Sequence, residues 1–199
     1  MDVTPVDPRR VATIVTTLEM RERPALRPLP DSTLRLVRWR QPDAEAYRTL
    51  FRRVGAPWLW YSRLAMDDRR LLAILHDPAV EVYAVADARG IEVGLLELDF
   101  HETGVCELSY VGLVPELAGQ GHGRWLMAHA LQIAWRAGIT RAWVNTCTLD
   151  HPRALGFYRA SGFTPIARTI ETFADPRVTG LLPADAAPQI PLLAPVSVS

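Results

Sequence analysis

The sequence VPELAGQGHGR occupies residues 114–124 and connects an alternating, β-branched segment to an amphipathic one. Gly119, Gly121 and Gly123 alternate within it, so several backbone N–H groups have no side chain beside them. A helix that begins here adds the partial positive charge of its N-terminus to these amides. Because oriented amides and a helix N-terminus together attract anions, the segment predicts a phosphate-binding turn at the start of a helix.

Two common phosphate-binding loops do not fit this turn. A dinucleotide fingerprint, G-x-G-x-x-G, fails because its third glycine would fall on Arg124 or Leu126. A nucleoside-triphosphate loop needs a lysine, and all 22 basic residues of the chain are arginine. The same absence excludes a Schiff-base lysine and pyridoxal-phosphate chemistry. On local composition alone, the alternative that these glycines form a turn with a purely structural role stays open.

The composition of the chain is that of an ordinary globular protein. Its 199 residues are 49% hydrophobic and 22% charged, and its 22 acidic side chains balance its 22 basic ones. A net charge of zero argues against bulk nucleic-acid binding, which usually needs a basic face. No apolar run has the length of a membrane span and no signal peptide is evident, so we expect a cytoplasmic protein without a membrane partner.

The cysteines and histidines give no pattern typical of a metal site. Cys106 and Cys147 lie far apart in apolar, strand-like segments, which is typical of buried free thiols. His101, His122 and His151 do not share the spacing of metal ligands. We therefore predict no metal ion.

Hydrophobic periodicity predicts a mixed α/β domain. A helix that connects two neighbouring strands makes them parallel, so the sheet should combine one parallel pair with antiparallel strands. Strands are predicted at residues 11–18, 34–39, 80–85, 91–100, 105–114, 141–147 and 163–172, and helices at about 43–51, 66–75, from the glycine turn to 137, and 152–161.

The chain divides into three predicted parts. Residues 1–32 form an N-terminal arm, in which segment 11–18 is rich in β-branched residues and could be an edge strand, and arginines and prolines interrupt the chain after it. Residues 33–175 form the main domain. Residues 176–199 form a proline-rich C-terminal tail, either ordered but irregular or loose.

A second block strengthens the interpretation of the glycine turn. It reads ALGFYRASGF at residues 154–163 and comes after the turn, one helix and one strand later. Together the two blocks resemble the GNAT superfamily of N-acetyltransferases, loosely over residues 34–172. Gly121 and Gly123 match the family's acetyl-CoA signature, Arg/Gln-x-x-Gly-x-Gly/Ala, and the second block matches its A-x-x-x-Y-x-x-x-G-F element. The chain departs at Ala118, where arginine or glutamine is usual, and at His151, where many members have asparagine.

The resemblance implies both a fold and a co-substrate. The fold is α/β, with a GNAT-like, mostly antiparallel central sheet of six or seven strands, about four flanking helices and one splayed parallel pair. The co-substrate is acetyl-CoA, with backbone groups of Val111 and Leu113 bound to its pantetheine arm. Arg124 would supply the cation that Ala118 lacks, and His122 either contacts phosphate or only fills the loop. The remaining cofactor-binding residues implied are Gly119, Gln120, Gly121, Gly123 and His151.

The resemblance also assigns two catalytic roles. Tyr158 is the expected acid for the leaving thiolate; the alternative is a tyrosine packed under the sheet. Glu107 lies six residues before Leu113, where the protein-lysine branch of the family carries a glutamate base. Strand alternation puts Glu107, Ser109, Val111 and Leu113 on one face.

Other roles for the acidic residues stay open. An ordinary glutamate pKa of about 4.3 is too low for a base that deprotonates an ammonium, so burial would have to raise it. Glu107 could instead be a half-exposed strand residue paired with arginine. Glu97 and Asp99, on the neighbouring strand, are alternative bases that would act through a water.

The acceptor pocket is the least specified part of the site. Trp58, Trp60 and Tyr61 could line it and attract a cationic amine, or they could belong to the core.

The expected function is direct transfer of an acetyl group to a primary amine, of a small molecule or a protein, within a ternary complex. The alternatives are a non-catalytic acyl-CoA-binding or sensing protein, and an acyltransferase with another donor. Homodimerisation through either terminal segment is left open.

Overall fold

The structure, a computed structural model, describes residues 2–25 and 28–193. None of the helices in these ranges is long and apolar enough to cross a membrane. Short 3-10 turns lie at Ala56–Trp58 and Pro115–Leu117. The main elements are β1 (Arg10–Met20), β2 (Arg35–Trp39), α1 (Ala44–Gly55), α2 (Asp68–Leu75), β3 (Val80–Ala86), β4 (Glu92–Asp99), β5 (Val105–Leu113), α3 (His122–Ala134), β6 (Arg141–Cys147), α4 (Ala154–Ala160) and β7 (Thr164–Ala174).

All seven strands belong to one sheet, in the order β2-β3-β4-β5-β6-β1-β7. Neighbouring strands are antiparallel except β5 and β6, which are parallel and connected through α3. The expected fold, a mixed and mostly antiparallel sheet with one parallel pair and four helices, is therefore confirmed.

The N-terminal strand lies inside the sheet, and the expectation of an edge strand is wrong. β1 pairs with β6 on one side and with β7 on the other. Val11, Val15 and Leu18 are buried. Its partners β6 and β7 come from the C-terminal part of the chain, and such long-range pairing leaves no trace in the local pattern of β-branched residues from which the strand was inferred.

Capping residues explain where the first two helices begin. The Asp43 carboxylate accepts a hydrogen bond from the Ala46 amide, and the Asp67 carboxylate accepts one from the Arg70 amide. α3 differs, because its N-cap is Gly121, which has no side chain to occupy the first amides. α3 ends at Ala134, earlier than the predicted 137.

The two faces of the sheet carry different helices. On the first face, which we call the α1 face, Tyr47 of α1 bonds to Glu97 of β4. Arg136, which follows α3, donates a hydrogen bond to Glu81. Glu81 pairs with Leu98, which is the neighbour of Glu97 on β4, so this contact lies on the opposite face, which we call the α3 face. Adjacent strand residues point to opposite faces, so α1 and α3 lie on opposite faces of the sheet.

The C-terminal segment is partly buried. Val178, Leu182 and Ala187 contribute apolar side chains to the interior. The segment up to residue 193 is therefore ordered but irregular, which is one of the two expected alternatives. Residues 194–199 of the expected tail lie outside the described residues. The division of the chain at residues 32 and 175 stays a prediction.

Candidate active site

The parallel strands β5 and β6 separate soon after they meet. They pair at only three positions: Val105 with Arg141, Cys106 with Ala142, and Glu107 with Trp143. Beyond Glu107, β5 continues to Leu113 and stays paired with β4, while β6 continues to Cys147 beside β1. A gap therefore opens inside the sheet, with Glu107 at its apex.

A β-bulge in β5 changes which side chains share a face. Leu98 pairs with Leu108, but Glu97 pairs with Tyr110, so Ser109 is an extra residue without a partner on β4. Because of the extra residue, Glu107 shares the α1 face with Tyr110, whereas Val111 and Leu113 point to the α3 face. The expectation that Glu107, Val111 and Leu113 share one face is wrong, since simple alternation does not account for the bulge.

The backbone of β5 beyond the bulge faces the gap. The Val114 amide donates to the Val93 carbonyl at 2.9 Å, toward β4. Backbone groups alternate in direction along a strand, so the amides and carbonyls of Val111 and Leu113 point the other way, toward the gap. These are the two residues expected to contact a pantetheine arm.

The glycine turn presents backbone amides that no described residue uses. Among the described residues, the amides from Gly119 to Gly123 donate no hydrogen bond. Gly119 and Gly121 have φ angles of +80° and +86°, a conformation that glycine adopts without strain. Gly123 is helical, and a Cβ there would lie 3.8 Å from the Phe157 ring. The turn therefore has the free donors that a phosphate needs.

Two side chains of the turn lie near these amides. The Gln120 side chain donates to the Glu116 carbonyl, which fixes it against the preceding 3-10 turn. Arg124 is exposed, and its Nη2 atom lies 3.7 Å from the position of a Cβ on Gly121. A cation therefore lies near the turn, and its compensation for the missing side chain at Ala118 stays a prediction.

The two histidines expected near the cofactor have protein contacts of their own. His122 Nδ1 lies 2.9 Å from Ser32 Oγ, which connects the turn to the segment before β2. His151 Nδ1 accepts a hydrogen bond from the Arg153 amide, and its ring packs edge-on against Trp58 with centroids 5.3 Å apart. The contact with Ser32 agrees with the alternative in which His122 fills the loop.

Tyr158 lies on α4 and is 8% exposed. Its ring packs against Phe157 and Phe163. Its hydroxyl makes no hydrogen bond to another described residue, so it can donate one to a ligand. Burial raises the pKa of Tyr158, and the negative charge of Asp150 raises it further. The phenol is therefore protonated at neutral pH.

Glu107 has the electrostatic environment that a base requires. Burial and the negative charge of Asp99 together raise its pKa to about 7, although the positive charge of Arg63 opposes the shift. Asp99 is its direct partner on β4. Among the described residues, the Glu107 carboxylate accepts no hydrogen bond. A carboxylate of this kind is half ionised near neutral pH and free to accept a proton.

The two alternative bases are already engaged. Glu97 is 1% exposed, and its oxygens accept hydrogen bonds from Tyr47 and Arg63. Asp99 accepts from the His101 amide and contacts His101 Nδ1 at 2.7 Å. Both carboxylates are therefore less available to a ligand than Glu107.

The three aromatic residues expected at the acceptor pocket have two different roles. Trp60 packs against Phe51 and Tyr110 and belongs to the core between α1 and the sheet. Trp58 and Tyr61 instead extend across the gap. Trp58 contacts His151, which comes after β6, and Tyr61 stacks on Phe173 of β7, with ring centroids 4.4 Å apart. The loop that carries them spans from the β5 side to the β6 side.

Sequence reasoning missed one residue beside Glu107. Trp143 is the β6 partner of Glu107 in the last pair before the gap, so the two side chains lie next to each other on the α1 face. Trp143 is partly exposed. Nothing in the local sequence of β6 could have revealed this neighbour, because the register depends on pairing across the α3 connection.

The chain is similar to known acetyltransferases in sequence and fold. The sequence profile of the acetyltransferase (GNAT) family matches residues 34–163. A GCN5-related N-acetyltransferase from Kribbella flavida superposes with a TM-score of 0.54 at 20% identity, over 86% of this chain and 62% of that one. A variant of a spermidine N-acetyltransferase from Vibrio cholerae gives a TM-score of 0.52 at 18% identity, over 74% of this chain and 96% of that one.

A third similar structure contains a bound aminoglycoside. It is an aminoglycoside acetyltransferase from an uncultured soil metagenomic sample in complex with sisomicin, with a TM-score of 0.53 at 19% identity, over 65% of this chain and 87% of that one. The chain spans 63% and 62% of the length of two similar proteins, from Staphylococcus epidermidis and Kribbella flavida. Identities this low show a shared fold alone. No curated protein matches the chain at a significant level.

Proposed function

Because the chain belongs to the acetyltransferase (GNAT) family, we propose that it moves an acetyl group from acetyl-CoA to a primary amine, directly within a ternary complex. The observation that carries this proposal is the gap between β5 and β6, which pair at only three positions. Such a gap gives a thioester a place inside the sheet, with the free amides of the glycine turn at one end and Glu107 at its apex.

Backbone groups supply most of the donor site. The amides from Gly119 to Gly123 would hold the diphosphate, with Arg124 as the nearby cation. The residues present fit this group, because Gly119 and Gly121 leave the surface of the turn bare. Backbone groups of Val111 and Leu113 would bind the pantetheine arm, and an amide among them would polarise the thioester carbonyl.

Glu107 acts as the base for the acceptor amine. A primary ammonium has a pKa of about 10.4, so an ordinary carboxylate removes its proton very inefficiently. The raised pKa of Glu107, about 7, reduces that mismatch. Once Glu107 has taken the proton, the neutral nitrogen can attack the thioester carbonyl carbon.

Tyr158 assists the leaving group. As the new C–N bond forms and the C–S bond breaks, negative charge develops on sulfur, and the Tyr158 hydroxyl donates to it. The raised pKa of Tyr158 means that it strongly favours its protonated form. Its main effect is therefore a hydrogen bond that stabilises the departing thiolate. As the amide forms, its nitrogen loses a second proton to solvent and the thiolate takes up one proton through Tyr158, which solvent reprotonates. Glu107 then releases the proton of the ammonium to solvent.

The test is release of free thiol from acetyl-CoA across a panel of amines. The panel should include spermidine and an aminoglycoside, since similar structures act on these classes, together with amino acids and a lysine peptide. We expect thiol release with at least one primary amine and none with its N-acetylated product. Binding of acetyl-CoA without release for any amine would favour the sensing alternative, and faster release from succinyl-CoA would favour another donor.

A further inference from the structure

The largest fully buried side chain of the described residues is an arginine in the segment after β7. Arg177 is 2% exposed and pairs with Asp175, which is equally buried. The Arg177 guanidinium donates to both carboxylate oxygens of Asp175, at 3.0 Å and 2.7 Å. Its Nη1 atom also donates to the Ala186 and Ile190 carbonyls, at 3.2 Å and 2.7 Å. Residues 175–190 are thus folded around one ion pair.

This segment contacts the loop over the gap at one end, and the end of β7 that leads into the segment contacts the loop at the other end. At one end, Gln189 Nε2 donates to the Pro57 carbonyl at 2.6 Å, immediately before Trp58. At the other end, Tyr61 stacks on Phe173, which lies two residues before Asp175. The chain from 173 to 189 therefore connects the two ends of the loop 57–61.

The loop itself has a strained residue at its centre. Leu59 has a φ angle of +54°, which is unfavourable for any residue with a Cβ, and it is buried. Strained backbone of this kind persists only where the surroundings hold it, and it clusters at functional sites. The contacts at Pro57 and Tyr61 lie on either side of this strained position.

We propose that residues 175–190 are a positioning element for the acceptor site, with Arg177 and Gln189 as its positioning residues. A buried ion pair often adds little net stability compared with apolar residues, so its benefit here is a fixed shape. That shape fixes Gln189 against Pro57, next to Trp58, while Phe173 at the end of β7 stacks on Tyr61, so both aromatic residues stay across the gap on the proposed acceptor path to Glu107. The proposal rests on the proposed function, because it assigns the loop 57–61 to the acceptor.

The experiment compares three variants. Gln189→Ala removes the hydrogen bond to Pro57 without changing the interior. Arg177→Met removes the ion pair and keeps an apolar side chain of similar length. Asp185→Ala is the matched control, since Asp185 lies in the same segment, is exposed, and makes no side-chain hydrogen bond to a described residue. For each folded variant, the KM for the amine, the KM for acetyl-CoA and kcat are measured.

We expect Gln189→Ala to raise the amine KM about fivefold, the equivalent of losing one hydrogen bond, while the acetyl-CoA KM stays within twofold. Arg177→Met should have a larger effect in the same direction, and Asp185→Ala should have none. A merely structural role would lower the melting temperature and leave the amine KM unchanged. An unchanged amine KM in folded Gln189→Ala protein, or equal changes in both KM values, overturns the proposal.

A second readout does not depend on activity. Hydrogen exchange of the Leu59 and Trp60 amides, which donate to the Ala56 and Gly55 carbonyls, reports on the loop directly. Exchange should become faster in Gln189→Ala protein than in Asp185→Ala protein. If the unmodified protein acetylates no amine, the proposed function fails, and this readout still decides whether the segment positions the loop. Equal exchange in both variants rejects the positioning.

Discussion

The two halves of the candidate site consist of different kinds of chemical group. On the proposed donor side, from Val111 to Arg124, the groups free to bind a ligand are mainly backbone amides and carbonyls. On the proposed acceptor side, the groups are side chains from distant parts of the chain: Glu107 from β5, Trp143 from β6, and Trp58 and Tyr61 from the loop over the gap.

This difference explains which half could be predicted. A backbone site requires bare amides, so it constrains the local sequence to glycines that can be recognised without the fold. A side-chain site depends on which strands become neighbours, and that is decided by long-range pairing. The two halves can therefore be tested separately, each with a measurement that the other half should not affect.

The largest effect is expected at the turn. Gly121→Val places a β-branched side chain at a φ angle of +86° and covers the amides beside it. Hydrogen bonds to a charged group contribute roughly 1.5–3 kcal/mol each, so losing two should weaken acetyl-CoA binding at least about 100-fold. Isothermal titration calorimetry measures this directly.

A matched control separates binding from backbone strain. Gly90 has a φ angle of +85°, and a Cβ there would meet nothing within 4 Å. Gly90→Val therefore carries the same strain in the turn between β3 and β4, away from the gap. It should lose stability in thermal melting and keep its affinity for acetyl-CoA. Equal loss of affinity in both variants would mean that strain, rather than the phosphate site, explains the result.

The next largest effect is expected at Glu107. General base catalysis contributes about 100-fold or more, so Glu107→Gln should lower kcat by about that factor. With a pKa of about 7, Glu107 is ionised above pH 7 and protonated below it. The kcat of the unmodified protein should therefore fall tenfold per pH unit below about 7, whereas the variant should lack this dependence.

Stability gives a second check on the same carboxyl group. Because its pKa is higher in the folded protein than in the unfolded chain, Glu107 destabilises the fold as pH rises from about 4.5 to about 7. Glu107→Gln should therefore melt at a higher temperature than the unmodified protein at pH 8 and at the same temperature at pH 4. Equal melting temperatures at both pH values would show that the pKa is not raised.

The sequence predicted the central part of the fold well and the acceptor side poorly. The strand, glycine turn and helix from β5 to α3 follow from local patterns, and so does the parallel β6. The position of β1 between β6 and β7, the bulge at Ser109 and the burial of Arg177 do not. An arginine among prolines is typical of a solvated tail, and only the folded segment brings Asp175 and the carbonyls of Ala186, Ala187 and Ile190 around it.

Tyr158→Phe tests the link between the two halves, since the proposed role of Tyr158 lies at the sulfur, where donor and acceptor would meet. Loss of one hydrogen bond to a developing thiolate corresponds to roughly tenfold in kcat. The phenylalanine ring keeps the packing against Phe157 and Phe163, so the affinity for acetyl-CoA should be unchanged. If single-turnover kinetics show the same rate of acetyl transfer in both proteins, the hydroxyl has no part in the reaction.

The smallest effect is expected at Trp143, where the acceptor half can be tested without touching Glu107. An indole beside the base can stabilise a bound ammonium by about 0.5–1 kcal/mol, which corresponds to a two- to fivefold change in KM. Trp143→Leu should therefore raise the KM for the amine by this factor, with kcat and the KM for acetyl-CoA unchanged. Trp143→Phe keeps an aromatic face and should recover most of the loss. An identical effect of both substitutions would point to lost volume rather than to the aromatic face, and a change confined to acetyl-CoA would move Trp143 to the donor half.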